Sequence, residues 1–442
     1  MQVVKTLFFS ILFLGLCRPS VAAAQDADQT EIDLSNPQRT KYPIAMPMAV
    51  GGDKQASKEI LEIATDNLNM SGWAKMLNPS GFLANIQSEG LAIVPEDWKN
   101  VGAYGVIKYF VSVTGNRFRV EFRLFEVEKG AKPVLEKTFS GDLPNLRRYV
   151  HQWCNEVVRH YTGDAGFFGS RLVFSEKKRV LGGRSWSSVA TVGFDGRDLR
   201  RLTKIRTLNI LPRWSPDGTN IVFTSYRKKN PDLYVLPTSG GTPRVLSARR
   251  GMNLTANYSP DGRKIVASLS KDGNPEIYIL DAFDGSIIRR ITKSRYIDTS
   301  PAWSPDGSEI VFVSNRQGGP QIFVVSSNGG TPRRVSFNGS YNTDPVWSPK
   351  SGKRLVAYTT RSETGKMDVV TLDLKTDKMV RVTQNEGNHE EPSFAPNGHA
   401  IAYTKTGRDA GIYIANVDGT GDARRVYKGR ASSVNWGPAP RP

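Results

Sequence analysis

The chain has 442 residues, with 60 Lys and Arg against 42 Asp and Glu for a formal net charge of +18, two cysteines and four histidines. That length exceeds one ordinary core and predicts two domains. Two cysteines exclude a disulfide framework, so stability has to come from core size.

The first residues read as an export signal. Lys5 gives a positive start, Leu7 to Leu16 is a ten-residue apolar run, and Ala22 to Ala24 supply small residues ahead of cleavage at Gln25. Ten apolar residues fall short of the roughly 20 that span a bilayer. Cys17 follows Leu16 rather than a small residue, which excludes a lipid-attachment site. The expected assignment is a signal peptide over 1–24, a periplasmic mature chain, and a charge of +16 once Lys5 and Arg18 are removed. Residues 25–38 form an acidic arm (Asp26, Asp28, Glu31, Asp33) without helical or strand period. Within it Glu31, Ile32, Asp33 and Leu34 alternate acid and aliphatic, a pattern able to add as a strand to a partner's sheet edge. The same tetrad is compatible with a plain leader left after cleavage.

Residues 39–165 predict a small α/β (α+β) domain, with helices covering one face of a mixed sheet. Tyr42 to Val50 reads as a strand, and Ser57 is a fair N-cap for a helix ending near Gly72. Tyr104–Val113 and Arg117–Val127 predict a hairpin across Gly115, and Val134–Phe139 a further strand. A helix is expected from about Pro144 to Tyr161; it carries Cys154, read as buried and inert, with His151 and His160.

From 166 to 442 one pattern repeats: an aromatic, a small residue, proline and usually Asp-Gly. The aromatics are Trp214, Tyr258, Trp303, Trp347, Phe394 and, in a degraded copy, Trp436, at intervals of 44, 45, 44, 47 and 42 residues. A period in the forties predicts an all-β propeller, one blade per repeat. The segment entering each aromatic is a first strand; second strands begin at Leu172, Ile221, Ile265, Ile310, Leu355 and Ile401. Arginine-rich fourth strands contain Arg200, Arg244, Arg289, Arg333, Arg381 and Arg424, and Pro243 and Pro332 near their starts place them at the edge. The strand at Leu172 lacks a first strand ahead of it, and Ser433 to Trp436 is left over at the end. Together they close a six-bladed ring. Arginines dealt out once per blade make a rim that protects edge strands, not one nucleic-acid footprint.

No catalytic or metal motif emerges. The histidines lack metal-ligand spacing, His399 reads as a solvated turn residue, and no cofactor is called for. The turn aspartates stand one per blade and do not converge on an ion. The segments just before the first strands should all emerge at one mouth of the central channel. They contain Met252, Asn253 and Thr255; Asp298, Thr299 and Ser300; Asn342, Thr343 and Asp344; and Glu390 and Glu391. Acids and amides gather there without a basic residue, an expected protein-binding mouth.

The export signal, the small α/β domain and the six aromatic-Ser-Pro-Asp-Gly blades together resemble the TolB family of the Tol–Pal system of Gram-negative envelopes. Propellers joined to serine peptidases share the repeat, but their hydrolase domain has no room after Trp436. The resemblance implies a non-enzymatic, monomeric periplasmic scaffold serving outer-membrane integrity and constriction at division. It implies that the peptidoglycan-associated lipoprotein Pal binds at the eleven mouth residues just named and TolA at the arm. Met252 departs from the family's familiar polar residue. Two other classes remain open: a propeller lyase or hydrolase acting in the channel, and an envelope-surface module using the basic rim on lipopolysaccharide or nucleic acid.

Overall fold

The computed structural model describes residues 41–82, 89–179, 185–204, 206–350, 352–384 and 387–439. The export signal and the arm, with Glu31, Ile32, Asp33 and Leu34, lie outside the described residues. The first sheet has the order β2-β1-β3-β4-β5, from β1 (Tyr42–Ala45), β2 (Ala74–Met76), β3 (Gly105–Thr114), β4 (Arg117–Glu126) and β5 (Leu135–Asp142). β1 runs parallel to both β2 and β3, and the rest is antiparallel, so the sheet is mixed. β1 stops at Ala45 instead of reaching Val50, because Pro47 has no N–H to extend a ladder.

Helices α1 (Lys54–Met70) and α3 (Leu146–Thr162) cover one face of this sheet. Ile60, Ala64 and Leu68 from α1 and Val150, Trp153 and Val157 from α3 pack on Tyr109, Val120 and Phe122. Trp153 stacks on Phe122 with ring centroids 5.0 Å apart. Cys154 is fully buried there, and burial pushes its thiol up to about 12, which leaves it inert. The cap of α1 is Asp53, not Ser57. Asp53 sits in extended backbone and its Oδ1 accepts from the Ala56 N–H at 2.8 Å. Ser57 is buried one turn further on, where its hydroxyl accepts from the Ala49 N–H. A short helix α2 (Pro95–Asn100), unmarked by any long apolar period, covers part of the other face by burying Trp98 against Val106 and Phe125.

Six four-stranded sheets follow, each with its arginine-bearing strand outermost. The repeated Ser-Pro-Asp-Gly turn is locked from within. Asp217 accepts from Ser215 Oγ at 2.5 Å, from the Thr219 N–H at 3.0 Å and from Thr219 Oγ1 at 2.7 Å, while Gly218 takes φ +73°. These bonds hold the Asp217 carboxyl down at about 2. The ring closes as the repeat count requires. Ala431–Trp436 pairs antiparallel with Arg171–Arg179, matching Trp436 to Leu172 and Ser432 to Ser175.

Both domains meet through carboxylates. Asp195 of the first blade pairs with Arg147 of α3, Asp66 of α1 with Arg424 of the sixth blade at 2.9 Å, and Asp164 of the linker with Lys350 at 2.5 Å. His399 corrects an expectation here. Its side chain is buried rather than solvated, and its Nε2 bonds Asp164 at 2.8 Å, because the sixth blade's turn faces the linker.

Deleting residues 432–442 removes the buried Trp436 and the inner strand of the first blade together. Loss of one buried tryptophan alone costs about 3–5 kcal/mol. The truncated protein should melt roughly 10 °C or more below the full chain, or without a cooperative transition, in a thermal circular-dichroism scan. An unchanged melt would refute the closure.

Candidate partner-binding mouth

The strands nearest the axis are Asn209–Trp214, Asn253–Tyr258, Asp298–Trp303, Asn342–Trp347, Asn388–Phe394 and Ala431–Trp436. In every one the pairing slips by a bulge, for example between Val222 and Thr224 and between Leu254 and Asn257. The residue three before the aromatic then takes positive φ: Leu211, Thr255, Ser300, Asp344, Glu391 and Ser433, at +49° to +59°. None is glycine. Left-handed backbone at a residue with a Cβ costs about 1 kcal/mol or more, so six copies mark a constraint of the ring itself. Bulges re-aim the side chains next to them.

The eleven expected mouth residues fall into two groups. Asn253, Asp298 and Asn342 are fully buried and are not surface groups. Each is the first residue of its inner strand and ties down the loop beside it. Asn253 Nδ2 donates to Arg249 O at 2.8 Å and Asn342 Nδ2 to Gln321 Oε1 at 2.8 Å. Asp298 takes both oxygens to one Arg316 nitrogen, at 2.9 and 2.8 Å. Asp298, expected at the protein-binding mouth, is therefore sealed in the core. Thr255, Thr299, Ser300, Thr343, Asp344, Glu390 and Glu391 are partly accessible, and Met252 is exposed.

The acids do converge, around a cation that the loop segments alone do not reveal. Arg213, directly before the aromatic of the second blade, donates to Ser433 O and Pro212 O and lies near Glu391 and Asp344. The expected absence of basic residues fails here, since the relevant position is at the other end of the inner strand. Burial pushes the Asp344 carboxyl up to about 6, and the neighbouring Glu391 charge adds to the effect. Burial likewise raises Glu390, with Glu391 adding to it. Glu391 is engaged structurally: its carboxylate accepts from the Ser433 N–H, from Ser433 Oγ at 3.2 Å and from Thr404 Oγ1 at 3.1 Å. It bridges the sixth blade to the closing strand.

An apolar arc completes the mouth. Leu208, Met252 and Ile297 each precede the inner strand in blades two, three and four, and all are exposed, Ile297 by 48%. Tyr341 takes the same place in the fifth blade and holds Arg361 against its ring, 4.6 Å from the centroid. Leu208 and Ile297 could have been found in the sequence by aligning the residue before each inner strand. The mouth thus joins an aliphatic arc over blades two to four with a partly buried acidic floor from blades five and six. At the far end of the channel, a cavity of about 420 Å³ is lined by the repeat aromatics and prolines. Among the described residues, no group of three or more His, Cys, Asp or Glu side chains is placed to hold a metal ion, and no helix is long and apolar enough to cross a membrane.

A family model described as the TolB beta propeller domain matches residues 158–440, and one described as the TolB amino-terminal domain matches residues 30–132. The Tol-Pal system protein TolB of Bordetella avium is 35% identical over 419 residues, covering 93% of this chain and 91% of that protein. Those of Desulfosudis oleivorans (34% identical) and Roseobacter denitrificans (32%) align over 51% of this chain. In those two alignments the chain spans about half the length of its relatives, 51% and 52%. A crystal structure of TolB from Acinetobacter baumannii superposes with a TM-score of 0.78 at 24% identity, covering 90% of this chain and 97% of that one, a likeness of fold.

Two substitutions separate the buried from the accessible acids. Asp298→Ala leaves Arg316 without its buried partner and should destabilise the protein by about 3 kcal/mol or more, read in urea unfolding. Asp344→Asn should do the opposite at neutral pH. The native carboxyl, held at about 6 against an ordinary 3.8, contributes stability below that ordinary value and loses it as pH rises through 6. The amide has no charge to desolvate, so the variant should melt roughly 2–5 °C higher at neutral pH and lose the decline between about pH 4 and 6. Equal pH profiles for variant and parent would overturn this assignment.

Proposed function

The chain belongs to the TolB family, and on that premise we propose that it is a non-catalytic periplasmic scaffold of the Tol–Pal system, binding Pal over the propeller mouth and TolA through the arm at 25–38. The observation that carries this reading is the mouth itself. An exposed aliphatic arc of Leu208, Met252 and Ile297 borders a floor of Asp344, Glu390 and Glu391. Protein interfaces combine these features, an apolar contact area with polar groups that fix register. The surface also has a rigid base, since the inner strands are pinned by Asn253, Asp298 and Asn342. A pre-organised surface loses little entropy on docking.

Chemistry in the channel has weaker support. The acids that meet Arg213 include Glu391, whose oxygens are taken up in ring closure, so the pair that would serve an acid–base reaction is committed to structure. Coupling two envelope proteins supports outer-membrane integrity and constriction at division, the role proposed for the whole molecule.

Isothermal titration with soluble Pal tests the mouth. Replacing the exposed Leu208 and Ile297 by Glu places charge in the apolar arc and should weaken binding by about ten-fold or more at an unchanged melting temperature. Undiminished affinity would put the Pal site elsewhere. Removing residues 25–36 should abolish TolA binding and spare Pal binding. TolA binding retained after that deletion would reduce the arm to a leader.

A further inference from the structure

The outer hairpin of the third blade presents an apolar knob in a cationic field, and we propose that it docks reversibly on an anionic phospholipid bilayer surface. Phe283 is 85% exposed, the highest value for a large hydrophobic side chain among the described residues. The turn does not require it. Asp281 makes the turn by accepting from the Phe283 N–H at 2.8 Å, and Gly285 closes it at φ +74°. Gly285 has no room for a side chain, since a Cβ there would lie 1.9 Å from Leu246 O. The corresponding position in the turns of the other five blades is Asp195, Ser239, Asn328, Lys375 and Asp418, all polar. Beside Phe283 stand Ile287, Ile288 and, on the outermost strand of the second blade, Val245, each more than a third exposed.

The knob is held rigidly. Arg244 Nη2 donates to Ala282 O at 2.9 Å and Arg249 Nη2 to Gly285 O at 2.8 Å, so two guanidinium groups of one blade grip the hairpin of the next. Several rim arginines elsewhere close on a carboxylate: Arg201 on Glu176, Arg354 on Glu309, Arg424 on Asp66. Around Phe283 the pattern reverses. Among the described residues, Arg244, Arg249, Arg263 and Arg289 have no carboxylate within ion-pair distance. The nearby acids are occupied by backbone, Asp281 by Phe283 and Asp284, Asp284 by Ser286, and Asp261 by Arg263.

An aromatic ring on a convex turn, beside guanidinium groups whose charge no carboxylate offsets, matches a headgroup layer in which the ring enters the acyl boundary and the arginines meet phosphates. A nucleic acid would use the arginines but leave the phenyl ring without a function. An acidic protein would need a pocket for the ring. One side chain and a few charges give weak attachment, since stable anchoring takes more than one strong signal.

The test is co-sedimentation of the mature protein with phosphatidylcholine vesicles containing one quarter phosphatidylglycerol, at low salt. Binding is expected, and it should vanish on pure phosphatidylcholine. Phe283→Ser should lower the bound fraction about five-fold, and Arg263→Gln and Arg289→Gln about five-fold each, near the value of one interfacial basic residue. Phe337→Ser, at a 74% exposed ring outside this patch, should change nothing. All four variants should keep the parent's melting temperature. Equal binding to neutral vesicles, or vesicle binding indifferent to Phe283→Ser, overturns the proposal. So does a DNA duplex that displaces the vesicles and binds the Phe283→Ser variant as tightly as the parent, which would make the patch merely electrostatic.

Discussion

The strand Arg171–Arg179 pairs outward with Ser185–Gly193 but has no inner partner in its own stretch of chain, and the bonds it lacks come from Ala431–Trp436 at the other end of the propeller. Closure of the ring waits on that last strand. Until the last strand arrives, the first blade has an open inner edge and the buried ring of Trp436 has no home; once in place, its Nε1 donates to Ser170 Oγ at 2.8 Å. The degraded sixth repeat shows what closure needs. Trp436-Gly-Pro438 lacks the Asp and Gly of the turn. It keeps the proline, because Pro438 lies against Gly218, as Pro216 lies against Gly262 and Pro260 against Gly307. In these three places a turn proline packs on the turn glycine of the following blade, and the tail supplies that contact for the second blade.

The same closure dictates the channel. Six strands crowding one axis must bend, and the bulge with one left-handed residue per strand is how they do so. Glu391 shows the two demands meeting in one residue. Its backbone is one of the six left-handed positions, while its carboxylate accepts from Ser433, the equivalent residue of the closing strand. The negative charge that spans the seam also pushes up Asp344. The acidic floor is thus partly a by-product of locking the ring.

Legibility in the sequence followed chemistry that is local. Blade number, strand order, the edge arginines and the closing strand all come from turn residues and period, which act within a few positions. The hairpin over Gly115 and the helix bearing Cys154 were readable for the same reason. What escaped depends on where a strand's side chains point after a bulge. Asp298 and Thr299 are neighbours in sequence, yet one is sealed against Arg316 and the other is partly open. Period-two alternation predicts such a difference, but the bulge sets its phase. Arg213 was missed because a charge in a channel wall is recognised only when its counter-charges come from strands some 130 and 180 residues away, a separation no local pattern encodes. His399 and Asp164 are the same case between domains.

The charge distribution follows from this division of labour. Basic residues exceed acidic ones, yet the paired arginines of the rim do structural work: Arg201, Arg424 and Arg316 each close on a carboxylate. Asp66, Asp164 and Asp195 spend their charge on the domain interface, with burial opposing and Lys350 favouring the ionised form of Asp164. Helices α1 and α3 are thereby pinned to the first and sixth blades, the same two blades that Glu391 and the closing strand join, so the interface carboxylates and the seam of the ring share one pair of blades.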